Sequence, residues 1–164
     1  MNKDQCNAGL TIGKFAPLHE GHVDMLRFAL KQVDVLYVIV YDAPDKTNIP
    51  LSKRAGWIKE IFKDERVIII EGINAPNIHE DTQEVRSLQE AYIGKVVKSI
   101  KLTHFISSES YGDHLSKHLG IENIIYDQKR HNRMISSTMI REDFDQYKNQ
   151  LPGVVLKDVI KEYR

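Results

Sequence analysis

The sequence predicts an α/β domain, a five-stranded parallel sheet with helices on both faces, and three observations carry that expectation. Short apolar runs rich in β-branched residues recur at residues 8–12, 35–41, 67–70, 104–106 and 123–126. Between them lie stretches whose apolar residues fall at helical spacing, and this alternation is the pattern of strands covered on both faces in a parallel sheet. The 164 residues suit one core, and no repeat, low-complexity segment or linker marks a second, so one domain over residues 1–164 is expected.

Each element follows from its local pattern. The first strand, 8–12, ends at Gly13, which permits a sharp exit. The helix predicted over 21–33 carries Val23, Leu26, Ala29, Leu30 and Val33 on one face. After the strand at 35–41, Pro50 precedes a helix over 51–62 that presents Trp57, Ile58, Ile61 and Phe62 on one side. Trp57 is expected in the core, without a ligand role. Residues 72–81, beyond the strand at 67–70, form the one long turn-rich loop. Val85, Leu88, Tyr92, Val96 and Ile100 then mark a helix over 82–100. The strands at 104–106 and 123–126 flank a helix over 110–119, and two more helices are predicted over 137–149 and after Pro152.

Composition excludes several classes. Lys and Arg number 23 against 23 Asp and Glu, with 41% hydrophobic and 28% charged residues, the profile of an ordinary globular protein. The longest purely apolar stretch, 35–41, falls far short of the ~20 residues a membrane-spanning helix needs. Residues 1–8 carry no signal-peptide core, and Cys6 is the only cysteine, so no internal disulfide forms and a cytoplasmic location is expected. Zero net charge argues against a nucleic-acid partner, which usually needs a basic face. The charge is nevertheless segregated. Residues 128–141 hold no acid but include Lys129, Arg130, His131, Arg133 and Arg141, whereas in 71–94 Glu71, Glu80, Asp81, Glu84 and Glu90 face only Arg86.

In a doubly wound sheet ligands collect where strands run into helices. The first such turn reads Gly13-Lys14-Phe15-Ala16-Pro17-Leu18-His19-Glu20-Gly21-His22. His19 and His22 stand three apart across a helix start and face one point. A helix N-terminus favours an anion there. Imidazole N–H groups and Lys14 add directed contacts to phosphate oxygens, and Gly21 lets backbone approach a ligand. Half a zinc site is the competing reading of His-x-x-His, but no partner Cys or His stands at ligand spacing. Near the other end, Ile135-Ser136-Ser137-Thr138-Met139-Ile140-Arg141 follows the last strand. Ser136 or Ser137 should cap a helix there, with Arg141 one turn on reaching back toward the same anion.

Both segments resemble signatures of the nucleotidyltransferase superfamily, His-x-Gly-His and Ile-Ser-Ser-Thr-x-Ile-Arg, and the second matches at every fixed position. Further stretches resemble the nicotinamide mononucleotide (NMN) adenylyltransferase domain of the bifunctional NadR type. These are 33–36, 54–62, Ser107-Ser108-Glu109, 118–122 and Asp127-Gln128-Lys129-Arg130. The resemblance implies a Rossmann-like fold and a catalytic set of Lys14, His19, His22 and Arg141. It also implies nucleotide contacts at Gly13, Phe15, Gly21, Ser108, Arg130, Ser136, Ser137 and Thr138. Lys46, Arg54 and Lys129 are further candidates for phosphate contacts. The chain departs from the NadR pattern over 78–92, where family tryptophans surround the nicotinamide pocket and Tyr92 is here the only aromatic. It also lacks a Gly-x-x-x-x-Gly-Lys-Ser/Thr loop, so no kinase activity is expected of it.

The implied reaction joins NMN to the adenylyl group of ATP, with in-line attack of the acceptor phosphate on the α-phosphorus and release of pyrophosphate. Mg²⁺ is expected, held mainly through the nucleotide phosphates, since no carboxylate cluster stands out. Two alternatives remain open. One is a cytidylyltransferase using CTP and a small phosphorylated or phosphonate acceptor, and the other a nucleotide-binding sensor without catalysis. A homo-oligomer is compatible with the family.

Overall fold

The structure, a computed structural model, describes residues 5–63, 66–77, 80–108, 112–127 and 133–163. Strands β1 (Ala8–Gly13), β2 (Val35–Tyr41), β3 (Val67–Gly72), β4 (His104–Ser107) and β5 (Glu122–Ile125) form one parallel sheet in the order β3-β2-β1-β4-β5. The chain winds outward from β1 to β3 and returns to place β4 beside β1, with Gly9 opposite His104 and Leu10 opposite Phe105. The strand order therefore reverses between β1 and β4, the position where open α/β sheets bind ligands.

Side-chain alternation sorts the helices onto the two faces. Leu36, Val38 and Val40 of β2 join a core with α1 (Glu20–Gln32), α2 (Leu51–Ile61) and α7 (Gly153–Val159). Ile39 and Tyr41 turn the other way and pack with α3 (Gln83–Val96) and α4 (Gly112–Leu119). Trp57 is 2% exposed in the first core, and its indole N–H donates to Asp158 Oδ2 at 2.8 Å. Burial on both faces holds for β1 and the central stretch of β2. At the sheet edges, Ile68 of β3 and Ile125 of β5 are 40% and 41% exposed. A continuous apolar run thus does not distinguish an edge strand from a central one.

Two helix predictions need correction. The single helix expected over 137–149 is three pieces: α5 (Ser137–Glu142), α6 (Phe144–Tyr147) and a 3₁₀ turn at Lys148–Gln150. Asp143 leaves the helical region at φ −142°, and its carboxylate caps the next piece by accepting from the Gln146 N–H at 3.2 Å. The helix expected over 82–100 stops at Val96, after Thr82 caps its start. The expected start of the helix at 110 lies outside the described residues. Among the described residues, no helix is long and apolar enough to cross a membrane.

Candidate active site

A cavity of about 410 Å³ opens at the C-terminal ends of the strands, beside the reversal point between β1 and β4. This lies within the usual size range of small-molecule sites. The turn after β1 supplies Gly13, Lys14, Phe15, His19, Gly21 and His22, and α1 adds Asp24 and Met25. Tyr41 comes from β2, Lys46 from the loop after it, Gln89 from α3, Ser108 from the end of β4 and Leu115 from α4. Tyr126, Asp127 and the segment from Arg133 to Arg141 complete the wall.

His19 and His22 form a reciprocal capping box. The His22 N–H donates to His19 Nδ1 at 3.3 Å, and the His19 N–H donates to His22 Nδ1 at 3.2 Å. Such boxes usually use Ser or Thr with Glu or Gln. Here each ring accepts through Nδ1, so the neutral tautomer assigned from these bonds carries its proton on Nε2. The two rings stack with centroids 3.7 Å apart, and Phe15 meets His22 edge-on at 4.9 Å. Phe15 reaches that position from a left-handed backbone, φ 49°, with its ring folded over Gly13. A Cβ on Gly13 would stand 2.8 Å from the Phe15 ring, which explains the glycine. At Gly21 the explanation shifts from the sequence expectation. A Cβ there would meet the His19 ring at 2.9 Å and Ile135 at 3.0 Å, so the closeness it permits is to protein.

The second segment is stitched onto the first. Ser137 Oγ donates to the Pro17 carbonyl at 2.9 Å, and Arg141 Nη1 donates to the Ala16 carbonyl at 2.7 Å. The other Arg141 nitrogen, Nη2, donates to Thr138 Oγ1 at 3.2 Å, while Ser136 Oγ caps α5 by accepting from the Met139 N–H. Helix α5 has only six residues. Its side chains, rather than an extended helix dipole, therefore dominate what it offers an anion.

Positive charge converges on the same wall. Burial, reinforced by the cations of Lys46, Arg141 and Arg54, lowers the Lys14 ammonium below the ordinary lysine range, with Asp45 opposing the shift. Lys14 Nζ donates to Asn77 Oδ1 at 3.2 Å, and Asn77 in turn donates to Asp45. Arg133 is already paired, with Nε 2.8 Å from Asp24 Oδ2 and Nη1 3.0 Å from Gln150.

The structure thus brings together around one cavity Gly13, Lys14, Phe15, His19, Gly21, His22, Ser108, Ser136, Ser137, Thr138 and Arg141, with Lys46 at its rim. Lys129 and Arg130 lie outside the described residues. Arg54 stands apart and corrects its expectation as a phosphate contact. It is 1% exposed and is bonded to backbone carbonyls of Lys14, Tyr41 and Ile49, so its charge faces protein. Sequence reasoning did not single out Tyr41, Asp24, Asn77 or Gln89. A strand-end tyrosine or an isolated helical amide has no local pattern to flag it, and only the sheet order brings these residues to one place.

A family described as cytidylyltransferase-like matches residues 10–143. The chain is 28% identical over 166 residues to the trifunctional NAD biosynthesis/regulator protein NadR of Salmonella typhimurium, a match covering 92% of this chain and 40% of that protein. It therefore spans about two fifths of that relative. It is 26% identical over 140 residues to the phosphopantetheine adenylyltransferase of Lactococcus lactis subsp. cremoris, covering 82% of this chain and 80% of that one. Among solved structures, a NadR protein in complex with NAD and AMP-PNP superposes with a TM-score of 0.63 at 23% identity, over 92% of this chain and 46% of that chain, which shows a shared fold. With the family match extending from the first strand through α5 and both signature segments lining one cavity, the chain belongs to the cytidylyltransferase-like family of the nucleotidyltransferase superfamily.

Proposed function

We propose that this protein transfers an adenylyl group from ATP to a small phosphorylated acceptor, releasing pyrophosphate, and that the acceptor is NMN. The observation that carries the transfer chemistry is the histidine capping box. It fixes two stacked rings in the cavity lining with Nδ1 turned to the backbone, so that in the neutral form each carries its proton on Nε2. An acceptor phosphate oxygen attacks the α-phosphorus, a new P–O bond forms, and the bond to the β-phosphate oxygen breaks with its electron pair leaving on pyrophosphate. No covalent enzyme intermediate is needed, so the protein's part is positioning and electrostatic stabilisation.

In this reading His19, His22 and Lys14 stabilise charge on the α-phosphate, and Thr138 and Arg141 face the leaving phosphates. Ser136 and Ser137 shape that wall through their cap and their bond to Pro17, and Gly13, Phe15, Gly21, Ser108 and Arg130 complete the nucleotide site. Among the described residues, no group of three or more His, Cys, Asp or Glu is placed to hold a metal ion. The cavity's described carboxylates, Asp24 and Asp127, stand on separate elements, and Asp24 is paired with Arg133. This donor set fits a divalent ion carried in on the triphosphate, where it neutralises leaving-group charge, rather than one caged by protein.

The NMN assignment rests on the similarity to NadR. The phosphopantetheine adenylyltransferase relative and the missing tryptophans favour a second reading, another small phosphate ester as acceptor. A pyrophosphate-release screen decides between them: ATP and CTP, each against NMN, nicotinic acid mononucleotide, phosphopantetheine and simple phosphate esters. Turnover with ATP and NMN is expected. Another active pair overturns the acceptor, and a chain that binds nucleotide with no active pair behaves as a sensor.

A further inference from the structure

We propose that Arg54 is a positioning residue for the transfer reaction, acting through Lys14. Its guanidinium is 1% exposed, lies outside the cavity lining, and draws three separate stretches of backbone together. Nη1 donates both to the carbonyl of Lys14, in the turn after β1, and to that of Tyr41, at the end of β2, the latter at 2.7 Å. Nε donates to the carbonyl of Ile49, in the approach to α2, at 3.2 Å, and Nη2 stands 3.7 Å from Asp42 Oδ1.

The choice of residue follows from the acceptors. Lys14 sits in irregular backbone, where a carbonyl without a sheet or helix partner needs a donor from elsewhere. A guanidinium offers five N–H groups in a rigid planar fork, whereas an ammonium is a compact point charge that cannot span acceptors on both sides of the fork. Burying so polar a head is tolerable because Nε and Nη1 are met by carbonyls and the Asp42 carboxylate lies near Nη2. The outcome is that the backbone from which the Lys14 side chain springs is held at a set distance from the end of β2. The Lys14 ammonium is steadied separately, by Asn77. Displacing a catalytic group by about 1 Å costs rate on the order of a hundredfold, so fixing this backbone controls turnover without touching substrate.

This inference rests on the reading that Lys14 contacts the α-phosphate, and the experiment separates the two. Four variants are assayed with the nucleotide–acceptor pair most active in the screen, with ATP binding followed by calorimetry: Lys14→Ala, Arg54→Ala, Arg54→Lys and the double Lys14→Ala/Arg54→Ala. Arg54→Ala is expected to lower kcat at least about tenfold while KM for ATP changes less than kcat. Arg54→Lys should fail to restore it. In the Lys14→Ala background, Arg54→Ala should cost less than about threefold, because coupled residues are non-additive. The alkaline limb of activity should also move to higher pH in Arg54→Ala, since the Arg54 charge is one of the influences lowering Lys14, and should stay in place in Arg54→Lys. A full Arg54 effect on top of Lys14→Ala, or near-normal kcat in Arg54→Lys, overturns the inference. If Lys14→Ala leaves both turnover and ATP affinity unchanged, the reading of Lys14 itself fails and the inference falls with it. Should Arg54→Ala not fold, Arg54→Lys, which keeps the charge and most of the volume, carries the test through the same cycle.

Discussion

The two walls of the cavity are built differently. On one side, the turn after β1 and the segment around α5 hold their side chains by bonds to main chain: the paired histidine caps, Ser137 on Pro17 and Arg141 on Ala16. On the other side, Tyr41, Gln89 and Leu115 come from three separate elements, and the neighbouring loop is tied by side chains, Tyr92 Oη to the Ile73 carbonyl, Lys14 to Asn77 and Asn77 to Asp45. Donors fixed before substrate arrives cost no reorganisation when charge develops, and the first wall has that character. The second is a surface whose residues can change without loss of the turn chemistry, as loops on a rigid scaffold usually can. Under the proposed function, the contrast assigns transfer to the first wall and acceptor choice to the second.

The largest effect expected from breaking the first wall is at His22. His22→Ala removes a donor proposed for the α-phosphate and one half of the cap on α1. Loss of such a donor typically costs about 2.7 to 4 kcal/mol in the barrier, so kcat should fall on the order of a hundredfold or more. Loss of the cap should lower stability by only about 0.5 to 2 kcal/mol. Steady-state kinetics beside thermal melting tests both. A folded variant with near-normal turnover removes the histidines from the chemistry and leaves them as a helix cap.

The next effect sharpens the electrostatics. Lys14 titrates below the ordinary lysine range because burial and three neighbouring cations disfavour its charged form. If the cation is required, activity declines as pH rises through that lowered value, before free lysine would lose its proton. Arginine stays charged throughout this range, so Lys14→Arg should abolish the alkaline limb while lowering kcat through its altered geometry. An unchanged limb in Lys14→Arg assigns the titration to another group.

A smaller effect is expected at Asn77, whose amide oxygen accepts from the Lys14 ammonium. Removing one charge-assisted hydrogen bond of about 1.5 to 3 kcal/mol leaves a mobile but intact lysine. Asn77→Ala should thus reduce kcat less than Lys14→Ala does, measured under the same conditions. Equal losses would make Asn77 a direct substrate contact.

The sequence displayed these two walls unequally, and the reason is local. Residues 13–22 and 135–141 are contiguous, so the turn, the cap and the cations appear in one short window, and the strand-helix alternation already places both windows at one sheet edge. That His19 and His22 cap each other was not visible, because imidazoles rarely fill that role and the tautomer emerges only from the geometry. Arg54 stood among the candidate phosphate contacts because its burial depends on three carbonyls distant in sequence from one another. The break at Asp143 in the helix predicted over 137–149 was hidden because apolar spacing continues across it, while the residue that ends one helix caps the next with its carboxylate. Tyr41 closes an apolar strand and resembles any core residue until α3 and α4 are set beside it.

Tyr41 is where the comparison between the walls can be reversed. It is 8% exposed, lines the cavity and meets the Tyr92 ring edge-on at 5.7 Å. Burial, then the neighbouring Tyr92, pushes its phenol well above the ordinary range, so the hydroxyl remains protonated and can donate throughout working pH. Tyr41→Phe keeps the ring and its packing and deletes only that hydroxyl. A net hydrogen bond of about 0.5 to 1.5 kcal/mol corresponds to a few-fold to tenfold weakening. If the second wall serves the acceptor, this should appear as a raised KM for the acceptor, with KM for ATP and kcat near those of the parent. A rise confined to KM for ATP would place the nucleotide against Tyr41 and exchange the roles of the two walls. It would leave the histidine box to act on the acceptor phosphate instead.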